Sequence, residues 1–240
     1  MTLEHEHSSE AIRERFAKGH KASYLQDWVY GSIDGAVTTF AVVSGVIGAQ
    51  LSVRVILILG VANLLADGFS MAASNYSATK SELDDTERLR EIERKHIRQV
   101  PEGEREEIRQ ILSAKGLSGT TLEEATDAIT SNEELWINTM ITEEYGISPT
   151  SRNPLRSALS TFGAFFIAGS IPLLPFILSL PNAFALACGM TALAFFATGM
   201  IKSRWSLAPW WRSGSETLLI GGLAAIVSYG VGYILRDIVG

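Results

Sequence analysis

From Ser157 to Ile201 the chain carries no Asp, Glu, Lys or Arg. A helix on a water-soluble domain keeps one polar face, and this run has none. It is long enough for two bilayer crossings of roughly 20 residues each. Pro181 and Asn182 divide the crossings and mark a tight turn. A third clean span runs from Thr217 to Leu235. Two more apolar segments precede them, WVYGSIDGAVTTFAVVSGVIGAQL and VILILGVANLLADGFSMAAS. Backbone groups in hydrocarbon must be satisfied within the segment, so stretches of this length are helices. The expected fold is an all-α membrane protein with five transmembrane helices. An odd count puts the two termini on opposite sides.

Lys and Arg in short loops set the orientation. The flank IRERFAKGHK before span one is basic, Arg152 and Arg156 precede span three, and Lys202, Arg204 and Arg212 lie between spans four and five. All three places fall on one side if the N-terminus is cytoplasmic. Trp28, Tyr30, Trp205, Trp210 and Trp211 sit near the expected interfaces, where aromatic anchors belong. The N-terminus lacks the apolar core of a signal peptide. His5 and His7 read as part of a tail rather than as ligands, and the lone Cys188 has no partner for an internal disulfide. Neither plasma or inner membrane nor a vacuolar-type membrane is singled out.

The expected organisation has four parts: a cytoplasmic tail over 1–26, spans one and two over 27–79, a cytoplasmic acidic domain over 80–150, and spans three to five over 151–240. Seventeen acids oppose nine Lys or Arg in the third part, a net charge of −8 against −6 for the whole chain. Such a domain repels nucleic acid and anionic lipid and concentrates cations. It reads as a three-helix insertion between spans two and three. The first helix continues span two to about Arg98, the second runs from Glu102 to Ala114, and the third region breaks near Ser131 and ends at Gly146. Capping boxes are expected at Thr120-x-x-Glu123 and Ser131-x-x-Glu134. Glu93 follows Leu89 by four and His96 follows Ile92 by four, so both lean toward the apolar face of their helix. Glu104 and Glu107 lean inward on the second helix, while Glu102 and Glu106 point elsewhere. Trp136, Met140 and Glu144 share a stripe on the third, with Glu143 beside them. A solvated charged face is the plain reading of these acids. Convergence of carboxylate, imidazole and thioether between packed helices is the other, and that donor set suits divalent first-row metals.

Two carboxylates lie inside the spans. A charge in hydrocarbon costs several kcal/mol, so Asp34 and Asp67 are candidate functional residues. Asn63, Asp67, Met71 and Asn75 follow one another at intervals of four and form one polar stripe on span two. Asp34 is flanked by Gly31 and Gly35, which let another helix approach closely. These residues would line a path through spans one and two. Asp67, followed by Gly68, could instead simply bond a neighbouring backbone.

DGAVTTFAVVSGV, ADGFSMAASNY and the Glu-rich insertion together resemble the vacuolar iron transporter family, over nearly the whole chain from about Asp27. The resemblance implies a homodimer of five-helix subunits that exports cytosolic Fe²⁺, and often Mn²⁺, in exchange for protons. It implies pore roles for Asp34 and Met71, and metal-binding roles for Glu93, Glu104, Glu107, Met140 and Glu144. His96, Ile141 and Asn75 depart from the pattern, which has Glu, Met and Glu there, and so bear on metal preference. Fe²⁺ is then substrate, with Mn²⁺ and Zn²⁺ as further candidates, and no organic cofactor is expected. The competing reading is a non-transporting metal sensor with an acidic domain, which needs no polar path through lipid. An enzyme is not expected, since no nucleophile–base pair, phosphate loop or haem motif is present.

Overall fold

A computed structural model describes residues 6–19, 22–148 and 152–239. His5 lies outside the described residues. The described chain is all helix, with no strand. Helix α1 spans Ser9–Lys18, α2 Leu25–Gly48, α3 Val53–Gln99, α4 Pro101–Ala114, α5 Gly119–Thr130 and α6 Glu133–Glu143. Then follow α7 (Pro154–Ser170), a 3₁₀ turn (Ile171–Leu173), α8 (Leu174–Ile177), α9 (Ala183–Ser203) and α10 (Trp210–Val239). Five of these segments are long and apolar enough to cross a membrane: α2, α3, α7 continued through α8, α9 and α10. Helix α1 has no counterpart in the sequence reading. Its signals are short but present: Ser8 caps Ala11, and Lys18 pairs with Glu14 at 2.6 Å.

Contacts divide the chain into two units, residues 23–78 with 153 onward, and residues 79–152 with the segment before Ser23. In the first unit α2 is the central helix, packed on α7, α9 and α10. Phe40, Val43, Val46, Ile56, Leu64, Phe165 and Leu173 form its apolar core. The α2–α7 approach is a backbone approach: a Cβ on Gly31 would stand 2.3 Å from the Thr161 carbonyl oxygen, and one on Gly35 2.3 Å from that of Phe165. Close packing of this kind substitutes for hydrophobic drive where the surroundings are also apolar. Pro172 falls in the 3₁₀ turn and Pro175 in the short α8 that follows it. Proline removes a backbone donor and crowds the preceding turn, so the span breaks there. The fifth helix begins at Trp210, ahead of the Thr217 expected from hydropathy.

The second unit contains the end of α3 with α4, α5 and α6. Val100 and Pro101 separate α3 from α4, and Gly116, at φ +95°, ends the turn after α4. Neither expected capping box forms. Helix α5 starts at Gly119, which puts Thr120 inside it, and Ser131 closes α5 while the side chain of Asn132 caps α6 at 2.9 Å. Their glutamates are held by cations instead, Glu123 by Arg105 and Glu134 by Arg90 and Arg94. The interior holds two apolar clusters, one around Leu89, Ile137 and Ile141, the other around Ile108, Trp136 and Met140.

Candidate metal sites

In the membrane-crossing unit, polar residues pair across α2 and α3 in an antiparallel register. Asn75 Nδ2 donates to Asp27 Oδ1 at 2.8 Å. The Asp34 and Asp67 carboxylates lie close enough to act on each other electrostatically. Asn63 Nδ2 donates to Thr38 Oγ1 at 3.3 Å. As positions rise along α2 from 27 to 34 to 38, their partners on α3 fall from 75 to 67 to 63. Met71 lies between Asp67 and Asn75 on the same stripe, half-buried against the core cluster. Asp34 is half-buried, whereas Asp67 is exposed. Asn75 does more than line this stripe. It also donates to Thr161 Oγ1 at 2.7 Å, tying α3 to α7 as well as to α2. Asp27, 4 % exposed, was not singled out in the sequence. Its spacing of seven from Asp34, two helical turns on one face, was the available signal.

In the acidic unit, Lys and Arg answer ten of the seventeen carboxylates. Arg90, Arg94 and Arg98 of α3 meet Glu133 and Glu134 of α6. Arg105 and Arg109 of α4 meet Glu123, and Arg105 also meets Asp127. Lys115 holds Glu143 at 2.6 Å, which occupies a residue expected among the ligands. Glu106 pairs with Arg109 at 2.7 Å, and that hydrogen bond holds its carboxyl below the usual range. These bridges are solvent-exposed and contribute little stability each. Glu82, Glu102 and Glu124, all exposed, have no basic partner among the described residues. Among the described residues, no Lys or Arg pairs with Glu93, Glu104, Glu107 or Glu144.

Glu93, His96 and Glu104 each offer one ligand atom, all within 4.8 Å of one another. Glu93 is 1 % exposed and Glu104 4 %, and the Oε2 atom of each is buried without a hydrogen-bond partner. His96 Nδ1 stands 3.3 Å from Glu104 Oε1. Burial, reinforced by the charges of Glu107 and Glu93, pushes the Glu104 carboxyl up to about 8. Glu144 is also raised, first by burial and then by Glu93 and Glu107. A buried carboxylate without a countercharge is costly, and a bound cation removes that cost. Glu107 and Glu144 are more exposed than the helical spacing suggests, yet close enough to act on Glu104. Met140 is fully buried against Ile108 and Trp136 in the apolar cluster. Tyr145, which the sequence reading passed over, donates its hydroxyl to Glu93 Oε1 at 2.9 Å.

The model of the VIT family matches residues 25–233, a stretch that includes all the residues above. The chain belongs to the VIT family. Vacuolar iron transporter 1 of Oryza sativa subsp. japonica is 32 % identical over 210 residues, 86 % of this chain and 83 % of that protein. The vacuolar iron transporter of Toxoplasma gondii (strain ATCC 50861 / VEG) is 31 % identical over 234 residues, covering 91 % of this chain and 76 % of its own. Vacuolar iron transporter 1 of Tulipa gesneriana is 30 % identical, with 96 % of each chain covered. The VIT family is a family of transporters and not of enzymes, as the resemblance of span motifs and insertion implied. The VIT chain described here is therefore a multi-pass integral membrane protein.

Proposed function

We propose that this protein carries Fe²⁺ out of the cytosol in exchange for protons, with Mn²⁺ as a second cargo, and does so as a homodimer. The observation that carries the reading is the polar register between α2 and α3, with Asp34, Asp67 and the Met71 thioether inside the spans. A carboxylate binds either a metal ion or a proton, so one site can couple the two flows by competition. Met71 adds a soft donor that Mg²⁺ and Ca²⁺ do not favour. The relatives' shared name, vacuolar iron transporter, supports iron as the metal.

The dimer answers a physical need. Asp67 is exposed on a span, and a charge facing lipid is expensive, so a second copy covering that face would enclose the path. Helix α2 is the most covered of the five spans within one subunit, and α3 and α10 keep more free surface. The second copy packs in this reading on the α3 face that carries Asp67. The basic loops support a cytoplasmic N-terminus and a cytoplasmic acidic domain. In that domain Glu93, His96 and Glu104, with Glu107 and Glu144, collect the divalent metal.

Proteoliposomes holding an Fe²⁺ indicator and a pH indicator test the reading. Fe²⁺ influx into vesicles with acidic lumen, accompanied by lumenal alkalinisation, is the expected result. A correctly folded protein that moves neither Fe²⁺ nor Mn²⁺ under any proton gradient leaves the sensor reading in its place.

A further inference from the structure

We infer that Tyr145 is the positioning residue of the acidic-unit metal site, acting through Glu93; the inference rests on the metal-collecting reading of that unit. The backbone brings it there. After α6, Gly146 adopts φ +67°, a left-handed conformation that turns the chain back. The Ile147 N–H then closes on the Ile141 carbonyl at 3.1 Å, and the Ile147 side chain packs on the Leu89, Ile137 and Ile141 cluster. This turn directs the Tyr145 phenol toward α3. The ring stays 37 % exposed while its hydroxyl reaches a carboxylate that is 1 % exposed.

A hydroxyl that served only to satisfy Glu93 would leave no carboxylate oxygen in need. Here one oxygen is satisfied and the other is not. Oε1 accepts from Tyr145, and Oε2 is buried without a partner, as is Oε2 of Glu104. With Oε1 held, the carboxylate cannot rotate freely, and Glu93 meets a cation through one oxygen. Groups that orient a metal ligand from behind are worth about 10–100-fold in affinity. The imidazole of His96 stands 3.3 Å from Glu104, a looser contact than the 2.9 Å bond by which Tyr145 anchors Glu93.

The test uses the full chain in detergent, with Co²⁺ as probe, because its d–d absorption reports coordination number. Tyr145→Phe removes one oxygen from a partly exposed residue but leaves Glu93 Oε1 without its donor, so the melting temperature of the metal-free protein should fall modestly. Co²⁺ affinity should fall about tenfold, and the d–d bands should weaken as Glu93 becomes free to chelate through both oxygens. In a Glu93→Gln background the same substitution should cost less than about twofold, since the group it acts through is already altered. Unchanged Co²⁺ affinity and spectrum in Tyr145→Phe overturns the inference, provided Glu104→Gln still weakens binding. An equal loss in both backgrounds makes Tyr145 a structural residue and also overturns it. If Glu104→Gln and the native protein bind Co²⁺ alike, the metal-collecting reading itself fails, and the inference with it.

Discussion

Asn75 on α3 donates to the Asp27 carboxylate on α2 across 2.8 Å. The same amide reaches Thr161 on α7 at 2.7 Å, so one side chain joins three membrane-crossing helices. Asn75→Leu keeps the branched shape and deletes these bonds, along with a longer one to the Ser157 carbonyl at 3.4 Å. Helix–helix hydrogen bonds in membranes are worth on the order of 1–2 kcal/mol in model systems, and stability should fall by about that much. Thermal unfolding in detergent measures it. A melting temperature equal to the native one shows that the clamp contributes nothing.

Gly35 faces the Phe165 backbone with no room for a side chain. Gly35→Ala must push α2 and α7 apart, and overpacking of this sort costs typically about 1–3 kcal/mol. Because Asp34 is the next residue, metal transport should suffer beyond the loss of folded protein. Gly163→Ala is the control, as an added Cβ there meets nothing within 4 Å. Equal behaviour of the two variants contradicts the close approach.

Asp34→Asn keeps the shape and removes the charge. Fe²⁺ flux per folded protein should fall roughly tenfold or more, a change of about 1.4 kcal/mol or greater in the transport barrier. Met71→Leu conserves volume, and such exchanges usually cost under about 1.5 kcal/mol of stability. Its Fe²⁺ flux should drop while its melting temperature holds. Native Fe²⁺ rates in both variants would falsify the proposed path.

Glu104 is protonated at pH 7 when no metal is bound, because its carboxyl is raised to about 8 from an ordinary 4.5. Metal must displace that proton, so affinity should rise with pH up to about 8 and level off above it. Calorimetry in buffers of different ionisation enthalpy should count about one proton released per metal at pH 7, fewer in Glu104→Gln. The same shift acts on folding with a definite sign. The folded state holds a proton that the unfolded chain has lost, so apo stability falls as pH rises from about 4.5 to about 8. Metal-free protein that is equally stable at pH 5.5 and pH 8.5 contradicts the raised carboxyl.

The span count was legible because hydrocarbon length and the charge-free run leave few alternatives. The stripe from Asn63 to Asn75 was legible from helical spacing alone, and spacing also brought Glu93 and Glu104 to the apolar face. What was not legible depended on partners distant in sequence. Asp27 becomes notable only when Asn75, 48 positions on, is placed against it. The capping boxes failed because Arg90, Arg94 and Arg105, from other helices, hold the glutamates that local pattern assigned to helix ends. Met140 shares a stripe with Trp136 and Glu144, but packing took its thioether into the core, where spacing cannot distinguish a ligand from a filler. Tyr145 carried no periodic signal, since the turn at Gly146 decides where its ring goes.

The two inward carboxylate oxygens of Glu93 and Glu104 have a consequence for ionic valence. The proton on Glu104 is one positive charge that a bound cation replaces. Potassium or sodium displacing that proton would swap one positive charge for another and gain nothing electrostatically, so their abundance gives them no advantage. A dication displacing it brings one positive charge more than the proton did, which no monovalent ion can do. The imidazole nitrogen of His96 then ranks the dications, favouring those that accept nitrogen over magnesium and calcium. Counting charge comes first and donor chemistry second, and both filters are set by three side chains.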